Sequence, residues 1–508
     1  MLLQGPPLLT PLRIEQPLQQ GLRRGGGALA LADPGGSLTW QELDQASAAL
    51  AHAYRARGAQ RGDRLATLLP NQLELMVSYL ACLRAGLVIT ALNYRYVAPE
   101  LNHLLPLVSP ALVLADPSRA PLLQQCPSLQ EMAQPPLLVE PGSGLRRLWQ
   151  NAPPLAPETG APEEPALIYF TSGTTGRPKA VTHTRRSLGV MLASQEQVVG
   201  LDAADTLLVT SSMAHMAASM TGLAALTAGA TLITPHSAGS QELLDLLRRH
   251  RPTVMAILPT ALAALLRDPG RRTGDLASLR LVISGGDRVS PQLQQELRNA
   301  AGIPVHELYG MSELGVPAVT PAGMAPKPGS IGPACPGYAL ELRRPDGSPC
   351  APGKTGELWV AGEALMRGYW GDPAATAETL QEGWLNSGDA MRADADGWLW
   401  FEGRRKQMII HRSGNICPQD VEDALESHPA VDLAGVIGVP DAENGENVCA
   451  YVTLRPGLTA PSEAELIAHA AALVGVRAPQ EVRVLMAMPL NASGKVDRRA
   501  LSQQHTRY

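Results

Sequence analysis

Residues 169–186 read YFTSGTTGRPKAVTHTRR, and the way this stretch must sit decides which folds can hold it. Its middle, residues 171–179, gathers Thr171, Ser172, Gly173, Thr174, Thr175, Gly176 and Lys179. Such a loop can wrap amides and hydroxyls around phosphate oxygens, and the lysine adds a positive charge. The run before it, residues 166–170, is apolar and predicts a buried strand. The run after it, residues 180–184, is rich in β-branched residues and predicts another strand. The loop therefore joins two strands. A Walker loop, G-x-x-x-x-G-K-[ST], opens a helix instead. Here Arg177 and Pro178 separate Gly176 from Lys179, so that pattern is not met. Taken alone, the stretch also reads as an ordinary Gly/Thr hairpin.

Working outward, residues 36–120 alternate helix and strand signals. Asn71 is placed to cap a helix that carries Leu73, Met76, Val77, Leu80 and Leu83 on one face, and Gly86 is placed to end it. A strand follows at residues 87–92, then a helix around 98–107 and a strand at 111–115. This is βαβ logic, which predicts a parallel sheet with helices outside it. Residues 127–165 are rich in proline, glycine and glutamate and read as a surface connection. Strands are predicted again at 206–210, 230–234, 254–258 and 279–284, with helices between them. From about 330 to 400, short strands alternate with Gly/Asp turns, as in a small antiparallel barrel. A last unit of about 100 residues, mixed α and β, follows Arg404.

The chain has 508 residues, too many for one core, and 45% of them are apolar, enough for a globular enzyme. Net charge is −5, with no lysine or arginine stripe of the kind nucleic acids require. The only phenylalanines, Phe170 and Phe401, both lie in candidate motifs. The six cysteines, Cys82, Cys126, Cys335, Cys350, Cys417 and Cys449, show no C-x-x-C pairing. Neither a zinc site nor a disulfide framework is expected from such spacing, and scattered thiols fit a cytoplasmic location. The start of the chain lacks a signal-peptide pattern, and no apolar run approaches the roughly 18–20 residues of a membrane helix. No membrane and no nucleic-acid partner is expected.

Five further segments accompany the loop: Ser284-Gly285-Gly286-Asp287; HELYGMSE at 306–313; GWLNSGDAM at 383–391; FEGRRKQMIIHRSGNICPQDVE at 401–422; and PLNASGKVDRRAL at 489–501. In this order and spacing they resemble the adenylate-forming superfamily: acyl- and aryl-CoA synthetases, peptide-synthetase adenylation domains and luciferases. The resemblance runs from about residue 38 to residue 501. It implies an α/β fold in which a large N-terminal domain of stacked mixed and parallel sheets carries helices and a small β-barrel-like subdomain. A small α+β C-terminal lid domain completes it. The expected division is 1–403 and 404–508, with a hinge near Lys406.

The implied chemistry explains the residue types. A carboxylate attacks the α-phosphate of ATP, and two anions at ~3.5 Å repel by roughly 5 kcal/mol at an effective dielectric of 20. Magnesium and lysine must offset this repulsion. By resemblance, the 171–179 loop with Lys179 holds the leaving pyrophosphate, Ser312 touches the α-phosphate region, and Glu313 holds Mg2+. Tyr309 stacks on adenine, with the backbone around Gly285, Gly286, Asp287, Glu307 and Leu308 lining the nucleotide. Asp389 and Arg404 reach the ribose. Lys495 bridges carboxylate and phosphate during adenylation, and rotation of the lid about Lys406 then presents another face for transfer to a thiol.

The acid pocket is assigned to His215, Met216, Gly310 and Met311, with Met213 and Met220 adding a soft apolar wall. His215 either lines the pocket, gates the tunnel or is simply packed. Residues 212–216, SMAHM, carry no acidic side chain to pair with a substrate ammonium, which argues against an α-amino acid. An aryl or medium-length aliphatic acid is the expected class. Relatives read roughly G-G-E-N-I-x-P where this chain has Arg412-Ser413-Gly414-Asn415-Ile416-Cys417-Pro418, beside the expected pantetheine tunnel. That departure weakens the thioester step more than adenylation. With no carrier segment after Leu501, a stand-alone CoA ligase using ATP, Mg2+ and coenzyme A leads. Transfer of the acyl group to a carrier protein or an amine is the second reading. A silent ATP-binding protein is the third, and intact Lys179, Glu313, Asp389 and Lys495 argue against it.

Overall fold

A computed structural model describes residues 1–508 except 10–13, 133, 141–144, 151, 172–177, 405–406, 412–413, 442–443, 492–493 and 506–508. Two large sheets form the body. In the seven-stranded sheet, the strands Val88–Ala91, Arg64–Leu68 and Leu112–Ala115 pair in parallel, as the βαβ pattern of 36–120 predicts. Pro165–Thr171 extends this sheet in parallel beside Val88–Ala91, and Lys179–Thr184 then turns back antiparallel to it. The two strands that flank residues 172–177 thus pair antiparallel, with Thr171 opposite Lys179.

The eight-stranded sheet is built from Leu281–Gly285, Val254–Ile257, Thr206–Val209 and Thr231–Ile233 in parallel, bordered by Val305–Met311 and its antiparallel partner Gly315–Val319. These strands are continuous runs of Val, Leu and Ile because both faces are covered, the expected reading of a parallel sheet. Between the two sheets pack Trp40–Ala56, held at its start by a Thr39/Glu42 capping box, and Leu73–Ala85, ended by Gly86 at φ +63°. The N-cap of the latter is Gln72. Asn71, expected to cap, instead accepts from the Met213 N–H at 2.8 Å and donates to the Ser211 carbonyl at 2.8 Å.

A third, antiparallel sheet holds Tyr338–Arg343, Thr355–Gly362 and Trp384–Ala393, with Leu399–Arg404 beside the last. Its alternating burial, one side chain in and one out along Trp384–Ala393, is that of a sheet with one face on the core. The fourth sheet gathers Ile409–His411, Gly414–Ile416, Gly445–Leu454, Val431–Asp441 and Glu481–Val484, flanked by Pro418–Glu426, Glu463–Val474 and Arg498–His505. It has its own core around Val421, Leu425, Val436, Ala450 and Leu466. Ion pairs join this last unit to the body, among them Arg288 with Asp423 at 3.0 Å and Arg267 with Asp432 at 2.7 Å. Among the described residues, no helix is long and apolar enough to cross a membrane.

Candidate active site

The strand ends converge at one cleft. Strand Leu281–Gly285 runs out at Gly285-Gly286-Asp287. A Cβ on Gly285 would lie 2.6 Å from the Leu308 carbonyl oxygen, so the neighbouring strand packs directly on its backbone. Gly286 has φ +86°, a backbone that favours glycine. Above it lies Lys495: a Cβ on Gly286 would stand 3.5 Å from Lys495 Cε and 3.9 Å from Nζ. The C-terminal unit therefore delivers its lysine into the cleft of the body. Burial lowers the pKa of that ammonium, while the nearby Asp287 favours its charged form.

Next to this point the hairpin and the strand Val305–Met311 are tied together. Tyr369 donates from its hydroxyl to Glu313 Oε1 at 2.9 Å, and Lys179 Nζ lies 4.6 Å from the centre of the same ring. His183, fully buried, donates from Nε2 to the Ser312 carbonyl at 2.6 Å and faces Ser187 Oγ across 3.2 Å. Ser312, Glu313 and Lys179 are thus locked into one wall. Burial holds the Glu313 carboxyl above its ordinary value and pushes the His183 ring down to about 4. The Glu313 carboxylate is a hard oxygen donor with one oxygen held by Tyr369, and Lys179 stands close by. That donor set fits a magnesium ion brought in with nucleotide phosphates.

Asp389 is buried and engaged on both oxygens. Tyr309 donates to Oδ2 at 2.7 Å and Arg404 Nε donates to Oδ1 at 2.8 Å. The Tyr309 ring stacks on Phe401, centroids 6.3 Å apart. Tyr309, Asp389 and Arg404 therefore stand together, each from a different strand. Glu307 faces away from them: its carboxylate accepts from Val289 N and Gln294 Nε2, and burial raises its pKa. Gly310 packs on the Gly315 carbonyl, and Met311 lies within 3.8 Å of the Tyr309 hydroxyl.

His215 opens the helix Met216–Thr227. Its Nε2 meets Asn93 Nδ2 at 2.9 Å, while Asn93 Oδ1 accepts from the Arg95 N–H. That second bond fixes the amide orientation, so Asn93 donates and Nε2 carries the lone pair. Burial first, then the nearby Lys495 and Arg95 charges, bring the ring to about 4. The segment before it is clamped by Asn71 and by Tyr79, whose hydroxyl donates to the Met213 carbonyl at 2.7 Å. Met213, Met216 and Met220 are buried in the body core, with Met311 packed against it.

Ser172, Gly173, Thr174, Thr175, Gly176 and Lys406, the expected hinge, lie outside the described residues, as do Arg412 and Ser413. Of the residues absent from the sequence reading, His183 left a usable signal: it shares a strand face with Lys179 at spacing four. Tyr369 and Asn93 left none, since each meets its partner only through tertiary folding.

The cleft thus brings together strand-end glycines, a lysine from the C-terminal unit and a buried Tyr–Asp–Arg set. Residues 18–370 match the family model described as AMP-binding enzyme, and residues 420–495 match that described as AMP-binding enzyme C-terminal domain. The chain belongs to the AMP-binding enzyme family. It is similar to a feruloyl-CoA synthase of Amycolatopsis sp, 34% identical over 92% of this chain and 94% of that protein. It is also similar to the fatty acid–[acyl-carrier-protein] ligase ScoC of Streptomyces coeruleorubidus, 31% identical over 92% and 91%. ATP-bound MatB from Rhodopseudomonas palustris superimposes with a TM-score of 0.90 at 27% identity, covering 98% of this chain and 99% of that one.

Proposed function

We propose that this enzyme is an AMP-forming carboxylate–CoA ligase for an aryl or medium-length aliphatic acid. ATP and the acid give an acyl-adenylate with release of pyrophosphate, and the acyl group then passes to the thiol of CoA. The observation that carries the first step is Lys495, held over Gly286 and beside Asp287 while rooted in the C-terminal unit. Its ammonium would lie between the substrate carboxylate and the α-phosphate, offsetting repulsion that grows as the two anions approach. Lys179 and the 171–176 loop take the leaving pyrophosphate. Ser312 addresses the α-phosphate, and Glu313 would hold magnesium, which supplies charge neutralisation there. Tyr309, Asp389 and Arg404 take the nucleoside.

The acid class rests on what surrounds His215. A neutral imidazole, methionines and alanines line that side, and residues 212–216 themselves carry no carboxylate to hold an ammonium group. In the second half-reaction the C-terminal unit, 404–508, turns about Lys406 and withdraws Lys495. A carrier protein or an amine as acceptor is the second reading: the likeness to ScoC favours the carrier protein, and Arg412 and Ser413, in place of the glycines expected beside the pantetheine tunnel, favour the amine. The test is a panel of carboxylic acids incubated with ATP and magnesium, followed by mass spectrometry with and without CoA. Acyl-CoA from an aryl or medium-chain acid supports the proposal. Acyl-AMP that never yields a CoA adduct supports the second reading.

A further inference from the structure

Away from the cleft, three side chains of metal-ligating type meet on the C-terminal unit. Cys449 lies on Gly445–Leu454, and Glu481 lies directly beside it in register on the parallel strand Glu481–Val484. His505 ends the helix Arg498–His505, which Leu501 and Val496 seat on the same sheet face. One ligand atom from each of the three lies within 4.8 Å of the other two. The Cys449 thiol donates from Sγ to Glu481 Oε2 across 3.7 Å. A tetrahedral ion with sulfur at about 2.3 Å and oxygen at about 2.1 Å would hold these atoms roughly 3.6 Å apart. The pair thus already has the separation that a shared ion imposes. Arg483 engages Glu481 through the other oxygen, Oε1, leaving Oε2 turned to the thiol. The imidazole is steadied by Tyr451, whose hydroxyl is 2.9 Å from Nδ1 and whose ring meets it edge-on.

We propose that Cys449, Glu481 and His505 form a binding site for one borderline divalent cation of the Zn2+ type, fastening the C-terminal helix to the sheet. A thiolate, an imidazole and a single carboxylate suit such an ion, whereas Mg2+ selects all-oxygen sets. Three protein ligands leave a fourth position for water. On binding, the ion displaces the thiol proton to solvent and bonds to sulfur, so one proton is released per ion. The site is separate from the magnesium that accompanies ATP. Its placement gives it a structural consequence. The helix it would hold begins three residues after Lys495, and at its other end Arg498 pairs with buried Glu422 at 2.7 Å. An ion at His505 would fix the far end of the segment that presents the lysine.

The test uses the full chain, freed of metal and without nucleotide, titrated with Co2+ and then Zn2+. The expected result is one equivalent of Co2+ bound with a near-ultraviolet thiolate-to-cobalt band, which Zn2+ abolishes by displacement. Cys449→Ser and His505→Ala should each lose the band, and Zn2+ should raise the melting temperature of the wild type but not of His505→Ala. Absence of the band in the wild type at saturating Co2+ overturns the proposal. So does a band of equal strength in Cys449→Ser, which would place the ion at another thiol. Should Cys449→Ser fail to fold, undiminished Co2+ binding by His505→Ala, altered only at a partly exposed helix end, overturns it equally.

Discussion

Lys495 reaches the cleft from a unit whose own core is elsewhere, and its ammonium is drawn out of water to do so. A charge so placed matters most where negative charge builds up, in the attack on phosphorus. Lys495→Ala should lower acyl-adenylate formation about 10²–10³-fold yet leave thioester formation from pre-made acyl-adenylate largely intact. Equal loss in both assays would refute that division of labour. Asp389 has a double engagement: it holds Tyr309 and Arg404 as well as facing the proposed nucleoside. Asp389→Ala should therefore weaken ATP binding and also destabilise the fold, by about 1–3 kcal/mol for the buried hydrogen bonds left unmade. An unchanged melting temperature would show that Tyr309 and Arg404 find other partners. At His215, Asn93 keeps Nε2 as an acceptor and burial keeps the ring neutral down to about pH 4. Asn93→Asp puts a carboxylate beside the imidazole and should carry its titration up toward 6.5. The pH profile of kcat/KM for the acid would then gain a limb near neutrality, and a profile identical to wild type would remove His215 from the pocket.

The elements themselves were largely legible from the chain. Apolar runs bounded by turns located Val254–Ile257, Leu281–Gly285 and both strands of the hairpin to within a few residues. Gly86 ended its helix as expected, because the left-handed cap needs a residue without a Cβ. Asn71 departs from the capping expectation because capping is a local rule, and the pull of the Ser211–Met213 backbone comes from another sheet. For the same reason Tyr369 and Asn93 could not be assigned from spacing. His183 is the element-scale joint, binding strand Lys179–Thr184 to the end of Val305–Met311 through the Ser312 carbonyl. The folded ring takes its proton only near pH 4, whereas an unfolded one does so near 6.5. Between these values the unfolded chain holds more protons, so this residue's contribution to stability falls as pH drops, by at most about 3 kcal/mol. His183→Gln keeps a donor for Ser312 and should flatten that part of the dependence. Urea midpoints at pH 7 and pH 5 for the two proteins check this, and an identical pH slope would contradict it.

At the scale of the molecule, the proposed rotation between half-reactions needs two units that meet through contacts weak enough to break in each cycle. Two of the ion pairs between them fit this: Arg288 to Asp423 and Arg267 to Asp432 are partly exposed, each worth about 0.2–1 kcal/mol. Replacing both arginines by alanine should disfavour the Lys495-in arrangement and slow adenylation a few-fold, with little effect on transfer from pre-made acyl-adenylate. A hundredfold loss in both half-reactions would mean that the interface is structural rather than a resting place. What no spacing rule could give was the closeness of Lys495 to Gly286, which depends on how the units dock. Adenylation in that cleft underlies every later step of the proposed reaction. Its most direct test is pyrophosphate exchange: purified protein, ATP, magnesium and labelled pyrophosphate, with carboxylic acids added in turn. Label should enter ATP when an aryl or medium-chain acid is present and not otherwise. No exchange with any acid supplied would contradict the account at its root.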